Sequence, residues 1–248
     1  MDQKYKVLNR DVIKYIAMGT MLLNHISTVF MDQDTILAQV FLNIGYFTAI
    51  TMCYFLVEGF HYTRSKKKYG IRLAVFALIS EIPYCLAFTE NGVIGYYGMN
   101  MIFTLLLCFL ILLAHDRIKE TVLRNLVIVF LTFLSLFSDW ALLAPVFTLL
   151  FIWAEGSEER LKAAFAAAAV MFGVLNYAGG AGRFSVGTNL IYALESIVGI
   201  LLSGAVVLYL YNGRRMEKGK NFSKWFFYWF YPVHLLILGM IRIWLNVF

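Results

Sequence analysis

The sequence contains little charge. Of its 248 residues, 15% are charged and 61% are hydrophobic, and the mean hydropathy is +0.73. A soluble domain carries about a quarter charged residues, which cover its surface with polar groups. This composition excludes an ordinary soluble protein and predicts an integral membrane protein that has lipid as its solvent.

Motifs for metals, phosphates and nucleic acids are also missing. The three cysteines (Cys53, Cys85 and Cys108) form no CxxC pair or Cys/His ligand spacing, so we expect buried thiols and no metal. The glycine-rich stretch at 178–187 lacks the lysine and Ser/Thr of a phosphate loop. The net charge of +6 lies in short clusters between apolar runs, which argues against nucleic acid as a partner.

The first apolar run is too long for a signal-peptide core, and no small-residue cleavage site follows it, so we expect it to be retained. No internal repeat or low-complexity linker is visible, which predicts a single domain over residues 1–248. Nine apolar runs predict an all-α polytopic bundle of about nine transmembrane helices, with eight to ten as the range. The runs are 12–31, 36–60, 70–89, 98–115, 121–137, 140–154, 160–177, 188–211 and 224–247.

The sixth run is short, so residues 121–154 form either two spans or a re-entrant hairpin.

Basic residues orient the chain. With a cytoplasmic N-terminus and nine spans, all of the 21 Lys and Arg residues except Arg183 and Arg242 fall on the cytoplasmic side. This is the positive-inside pattern, and it predicts a multi-pass protein of the cell (inner, cytoplasmic) membrane.

His25 lies deep in the first span, and ionisable groups at membrane depth usually mark function. Lys14 precedes it by eleven residues, which return a helix to within about 20° of the same face and raise it by ~16 Å. Lys14, Met18, Met21 and His25 therefore form one stripe on the first span. Lys14 at the cytoplasmic mouth could meet phosphates, and a deep imidazole could act as a base. The alternative is a histidine that only joins neighbouring helices.

A basic segment closes the second span and follows Glu58. It is dense enough to bind a polyphosphate, but topology determination and anionic lipid are equally good explanations. Glu58 could simply pair with one of its lysines. The candidates for phosphate binding here are Arg64, Lys67, Lys68 and Arg72.

Three further polar residues are candidates. Glu81 lies beside Pro83, which removes a helix hydrogen bond and frees a carbonyl. Asn100 lies in the fourth run, and His234 follows Pro232 in the last run. Helix packing is the alternative for each, and it is the preferred interpretation of a small and polar stripe in the eighth run. That stripe is Asn189, Tyr192, Ser196, Gly199 and Ser203.

The first span resembles the opening of TraX-family proteins, which show a lysine, an alanine, a methionine and then Asp-His-Ile. Here these are Lys14, Ala17, Met21 and Asn24-His25-Ile26. Further segments resemble the family in the same order: Glu58 to Lys68, Arg72 to Tyr84, Asn100 to Leu106, and Phe230 to Leu235. The family is similar in pattern to transmembrane acyltransferases of the acyltransferase-3 type, where ten residues separate a basic residue from histidine.

The resemblance implies acetylation, typically of pilin, with cytoplasmic acyl-CoA as donor and the histidine as the catalytic residue. Asn24 stands where the family usually has aspartate, so another acid, such as Glu81 or Glu58, would have to support His25.

We therefore predict a membrane acetyltransferase that uses acetyl-CoA as donor and no metal. The acceptor stays open among a protein such as pilin, a glycan and a small molecule, and a homodimer is an allowed state. The predicted catalytic residues are His25, Asn24, Glu81, Asn100 and His234. Among them, His25 is the predicted base and Asn24 or Asn100 the predicted oxyanion donor. The predicted donor-binding residues are Lys14, Glu58, Arg64, Lys67, Lys68 and Arg72.

Two other classes stay open. A proton-coupled transporter would use the same buried groups as a relay, but it predicts inverted repeats, which are not visible. A structural assembly factor for pili would need no catalysis.

Overall fold

The computed structural model describes residues 6–245, and this part of the chain is helical and contains no β-strand. Each of its nine α-helices falls on one predicted apolar run, which confirms the all-α prediction. They are α1 Arg10–Phe30, α2 Ile36–Tyr62, α3 Lys66–Phe88, α4 Met101–Arg117, α5 Thr121–Leu134, α6 Leu143–Ala154, α7 Glu158–Gly180, α8 Val186–Ala205 and α9 Lys220–Trp244. A 3₁₀ turn, Ser135–Phe137, extends α5, and a π-helical segment, Val206–Leu210, extends α8.

Five helices are long and apolar enough to cross a membrane: α2, α3, α7, α8 with its π extension, and α9. They indicate a multi-pass membrane protein. The 12 residues of α6 extend only about 18 Å, against ~30 Å of hydrocarbon. The number of crossings and the orientation of the N-terminus stay predictions.

The helix ends differ from the limits of the apolar runs by a few residues at several points, and two of these differences have a clear structural cause. The fourth run was placed from residue 98, but α4 begins at Met101, because Asn100 is its N-cap and residue 99 pairs with residue 138. The sixth run was placed from residue 140, but α6 begins at Leu143. The turn before α6 contains two left-handed residues, Trp140 (φ 56°) and Leu142 (φ 60°), which a helix cannot accommodate.

Helix α8 has an apolar outer face and a small, polar inner face, the reverse of a soluble helix. Asn189, Ser196 and Ser203 are buried, and the Ser203 hydroxyl lies 2.7 Å from that of Thr51 on α2. A Cβ added to Gly199 would lie 2.4 Å from the Asn43 carbonyl oxygen of α2. The polar stripe therefore packs helices, as predicted. The outer face includes the exposed residues Leu190, Ile191, Leu194, Val198, Leu201 and Leu202.

The chain divides into two compact units. The first comprises the residues up to Met52 and Trp153–Lys220, and the second comprises Cys53–Ile152 and the residues from Asn221 onward. The boundaries between the units fall within α2, near the end of α6 and at the start of α9.

In the first unit, the segment before α1 pairs with the segment after α8. The Leu8 N–H donates to the Leu210 carbonyl at 2.9 Å, and the Asn212 N–H donates to the Leu8 carbonyl at 2.9 Å. The Asp11 carboxylate accepts from the Met216 N–H at 2.9 Å. Both segments are predicted to be cytoplasmic. Their hydrogen bonds are consistent with this, because the two segments have to lie on the same side of the membrane.

In the second unit, Arg242 near the end of α9 holds the loop that follows α3. Its guanidinium is almost fully buried and donates to the carbonyls of Leu86 (3.1 Å), Thr89 (2.6 Å) and Val93 (2.7 Å). The last carbonyls of a helix lack partners within the helix and carry partial negative charge, so a cation stabilises them. One of the two basic residues predicted to lie outside the cytoplasm therefore has a structural role.

Candidate functional site

The predicted stripe on α1 faces largely inward. His25 and Met18 are buried, and Lys14 and Met21 are half-buried. Because α1 is a regular helix from Arg10 to Phe30, the ~16 Å rise between Lys14 and His25 follows from its geometry. The first unit thus places a buried imidazole and a half-buried ammonium on one side of a single helix.

Asn24, the neighbour of His25, joins α1 to α2. Its Nδ2 donates to the Leu42 carbonyl at 2.8 Å. The side chain occupies the space left by a glycine, because a Cβ at Gly45 would lie 2.1 Å from the Cβ of Asn24. Asn24 therefore fixes the helix pair that carries His25, and its role as an oxyanion donor stays a prediction.

In the second unit, the structure brings Glu81 and Asn100 together. The Asn100 Nδ2 donates to Glu81 Oε2 at 2.6 Å and lies 2.7 Å from the Ala77 carbonyl. Its backbone N–H donates to the same Glu81 oxygen at 3.2 Å. Both amide hydrogens of Asn100 are therefore engaged, so an oxyanion would have to replace one of these bonds.

This pair lies at the N-terminus of α4, where the first backbone N–H groups have no partner within the helix. Asn100 Oδ1 accepts from the N–H groups of Ile102 (3.0 Å) and Phe103 (3.3 Å). The Met101 N–H donates to the Tyr231 hydroxyl at 3.2 Å. The partial positive charge of this helix end favours the Glu81 carboxylate beside it.

Tyr231 links this cluster to His234 on α9. The two rings meet edge to face, with centroids 5.7 Å apart. His234 Nδ1 lies 2.7 Å from the Phe230 carbonyl oxygen, which can only accept, so Nδ1 carries a proton. In the neutral imidazole the lone pair is then on Nε2. Of the predicted catalytic residues, the second unit thus groups Glu81, Asn100 and His234, while His25 and Asn24 belong to the first.

Two members of this cluster were not predicted. Tyr231 lies in the segment from Phe230 to Leu235 that resembles the family, next to Pro232, but no sequence pattern marks its phenol as a site group. Asp139 falls between the fifth and sixth predicted runs, and no sequence pattern marks it as a site residue. It lies in the turn before α6, where its backbone carbonyl accepts from the Thr104 hydroxyl at 2.6 Å. Burial raises the pKa of the Asp139 carboxyl to about 6.

The predicted donor-binding residues differ in their surroundings. Arg64, Lys67 and Lys68 are exposed, and Glu58 is half-buried. The neighbouring Lys66 is engaged, since its Nζ lies 2.9 Å from Asp116.

Arg72 has an organised environment. It is half-buried, and its Nε lies 3.4 Å from the Tyr228 hydroxyl of α9. Its guanidinium carbon lies 5.6 Å from the centroid of the Tyr69 ring.

The three cysteines are free and buried, as predicted. Among residues 6–245, no group of three or more His, Cys, Asp or Glu side chains is arranged to hold a metal ion.

The sequence matches the family model described as TraX protein over residues 9–242. It is 30% identical over 241 aligned residues to a Dichelobacter nodosus protein named as a probable fimbrial assembly protein, FimC of serogroup H1. That alignment covers 94% of this chain and 96% of the relative. No solved structure matches the chain.

Proposed function

This chain belongs to the TraX protein family, and on that premise we propose that it is a membrane acetyltransferase. It would move an acetyl group from cytoplasmic acetyl-CoA to a hydroxyl or amine acceptor. The observation that carries the proposal is the α1 stripe, in which buried His25 lies ~16 Å from half-buried Lys14 on one helix side. The same spacing supports placing the family with transmembrane acyltransferases of the acyltransferase-3 type.

In the proposed reaction, the neutral His25 imidazole removes the proton from the acceptor hydroxyl or amine. The acceptor atom attacks the thioester carbonyl carbon, and its bond to that carbon forms. The C–S bond then breaks, and the imidazolium returns the proton to the CoA sulfur. The products are the acetylated acceptor and free CoA. A covalent acetyl-histidine on the same residue is a second route through His25.

The cluster in the second unit supplies a second imidazole. His234 presents the lone pair on Nε2, which suits a base, and Tyr231 connects it to the Glu81–Asn100 pair. We propose that His25 is the principal base. Glu81, Asn100 and Tyr231 then hold His234 and the start of α4 in position. Comparing the two histidines directly tests this division of roles.

The name of the relative bears on the acceptor. That protein is described as a probable fimbrial assembly protein, and it aligns with almost the whole of this chain. We therefore propose a fimbrial or pilus component as the first acceptor to test, ahead of a glycan or a small molecule. The proposed location is the cytoplasmic membrane, where acetyl-CoA is available on one side.

The test is acetyl transfer from radiolabelled acetyl-CoA to pilin and to candidate glycans by the full-length protein in lipid nanodiscs. His25→Ala and the polar variant His25→Gln should both lower the rate by about 10²–10⁴-fold, the usual contribution of a general base. His115→Ala is the matched control, because His115 is exposed at the end of α4. Thermal unfolding and CoA binding should stay close to wild type in all three variants.

A rate within about threefold of wild type in both His25 variants would refute the catalytic role. If His234→Ala alone removed activity, the principal base would be His234. If the wild-type protein transferred no acetyl group to any acceptor, the transporter class would become the leading hypothesis.

A further inference from the structure

A chain of contacts between cations and aromatic rings runs across the N-terminal parts of α3 and α9, whose basic residues Arg72 and Lys224 are predicted to lie on the cytoplasmic side. Arg72 lies against Tyr228, with Nε 3.4 Å from its hydroxyl and the guanidinium carbon 5.9 Å from its ring centroid. The Tyr228 and Trp225 rings are 6.3 Å apart. Lys224 Nζ lies 4.7 Å from the centroid of the Trp225 ring. We call Arg72, Tyr228, Trp225 and Lys224 the aromatic–cation strip.

Packed aromatic side chains surround Arg72 and Tyr228 of the strip. Phe76, one turn after Arg72 on α3, is buried and packs against Tyr228 with centroids 4.9 Å apart. Its ring also meets Trp229 edge to face at 5.2 Å. The centroid of the Tyr69 ring lies 5.6 Å from the Arg72 guanidinium carbon, and this ring packs on Phe109 at 5.2 Å. Aromatic packing therefore holds the Arg72 guanidinium in place, which lowers the entropy lost when it binds an anion.

The two cations of the strip have no carboxylate within ion-pair distance among the described residues, 6–245. In this they differ from Lys66, which pairs with Asp116 at 2.9 Å, and from Lys162, which pairs with Glu159 at 2.8 Å. Two positive charges close to exposed aromatic surface favour a ligand that is both anionic and planar. Trp225 is 44% exposed and offers a surface on which a planar ring can stack.

From these contacts we infer that the aromatic–cation strip binds the adenine and phosphate end of the acyl-CoA donor. This inference rests on the proposed function. Arg72 and Lys224 neutralise phosphate oxygens, and Trp225 stacks on the adenine ring. Tyr228, Trp225 and Lys224 thereby join Arg72 as donor-binding residues, and all three lie on α9, outside the basic segment that closes α2. The phosphate of an anionic lipid has the same charge but no base to stack.

The test uses the full-length protein in phosphatidylcholine nanodiscs and measures the affinities of CoA, of adenosine 3′,5′-bisphosphate and of pantetheine. The bisphosphate carries the adenine and phosphates without the thiol arm, so it should bind and compete with CoA. Arg72→Gln should weaken both nucleotides by about tenfold or more, as expected for a lost charge-assisted contact. Arg72→Lys should restore only part of the affinity, because it lacks the planar guanidinium.

Trp225→Leu should weaken both nucleotides by roughly tenfold and Trp225→Phe much less, because phenylalanine keeps an aromatic ring for stacking. The matched controls are Arg117→Gln, an exposed cation at the end of α4, and Trp244→Leu, an exposed indole at the other end of α9. Both should bind the nucleotides as wild type does.

Three results would overturn the inference. If CoA binds and acetyl transfer proceeds, but the Arg72 and Trp225 variants bind like wild type, the nucleotide lies elsewhere and the proposed function stands. If Arg72→Gln loses co-purified phosphatidylglycerol while nucleotide affinity is unchanged, the strip holds a lipid headgroup. If the wild-type protein neither binds CoA nor transfers acetyl groups, the proposed function fails with the inference.

Discussion

Asn100 donates its side-chain amide to one carboxylate oxygen of Glu81 over 2.6 Å, and its backbone N–H reaches the same oxygen at 3.2 Å. The carboxylate thus accepts twice from the residue that caps α4, while the cap itself accepts from two N–H groups of that helix. One side-chain pair therefore joins α3 to the start of α4. The N–H of the next residue, Met101, donates to the Tyr231 hydroxyl, so α9 also contacts the start of α4.

Glu81→Ala should destabilise the protein by about 1–3 kcal/mol, because two donors of Asn100 would lose their acceptor inside the bundle. Asn100→Ala should cost about as much, since it removes a helix cap. A double-mutant cycle on thermal unfolding in nanodiscs should show that the two losses are not additive. Glu90→Ala is the control, because Glu90 is exposed. Fully additive losses would show that the two residues do not act as a pair.

Asp139 predicts a pH dependence of stability. Burial raises the pKa of its carboxyl from 3.8 to about 6 in the folded protein. The folded state therefore binds more protons than the unfolded state between these values, so this contribution to stability falls as the pH rises from about 4 to about 6. The side chain of Asp139→Asn does not titrate, so the variant should lack this pH-dependent fall. It should therefore become more stable relative to wild type as the pH rises from about 4 to about 6.

The measurement is the thermal midpoint of both proteins between pH 4 and pH 8, with the exposed Asp32→Asn as control. A constant difference between wild type and Asp139→Asn across this range would mean that Asp139 does not titrate there.

Gly199→Ala should destabilise the first unit. The added Cβ would lie 2.4 Å from the Asn43 carbonyl oxygen and 2.8 Å from the Phe47 nitrogen, so two backbones would have to separate. Overpacking of this kind costs about 1–3 kcal/mol. Gly187→Ala on the same helix is the matched control, because nothing lies within 4 Å of its added Cβ. Thermal unfolding that shifts equally in both variants would show that α8 does not approach α2 this closely.

The orientation can be tested by cysteine labelling in intact cells. Cysteines placed at Lys67, Lys119 and Lys218 should be shielded from an impermeant thiol reagent, and those at Asp34, Glu90 and Arg183 should react. All six positions are exposed, and the native cysteines are buried, so neither poor access nor background labelling should obscure the result. Labelling at position 67 from outside would reverse the predicted topology.

Much of the fold was readable from hydropathy alone. Each apolar run became one helix, since a backbone in lipid has to satisfy its hydrogen bonds within the segment. The polar stripe on α8 was correctly read as packing, because small residues at helical spacing let helices approach closely. The exact starts of α4 and α6 were not readable. They depend on the pairing of Met99 with Ser138 and on the left-handed Trp140, which are contacts and dihedral angles rather than composition.

The site shows the same division. The Lys14–His25 stripe could be placed from the sequence, because two positions on one helix are related by its regular geometry. The sequence also indicates Glu81, Asn100 and His234 as polar residues that are costly to bury in a membrane. It does not predict that they lie close together. Their connection runs through Tyr231, 130 positions from Met101 along the chain, and the Arg72–Tyr228 contact spans 156. The sequence by itself determined where the helices lie and which helix face carries each polar group, since helix period and hydropathy are local. Only the tertiary structure decided which polar groups meet, because partners far apart in the chain are selected by packing.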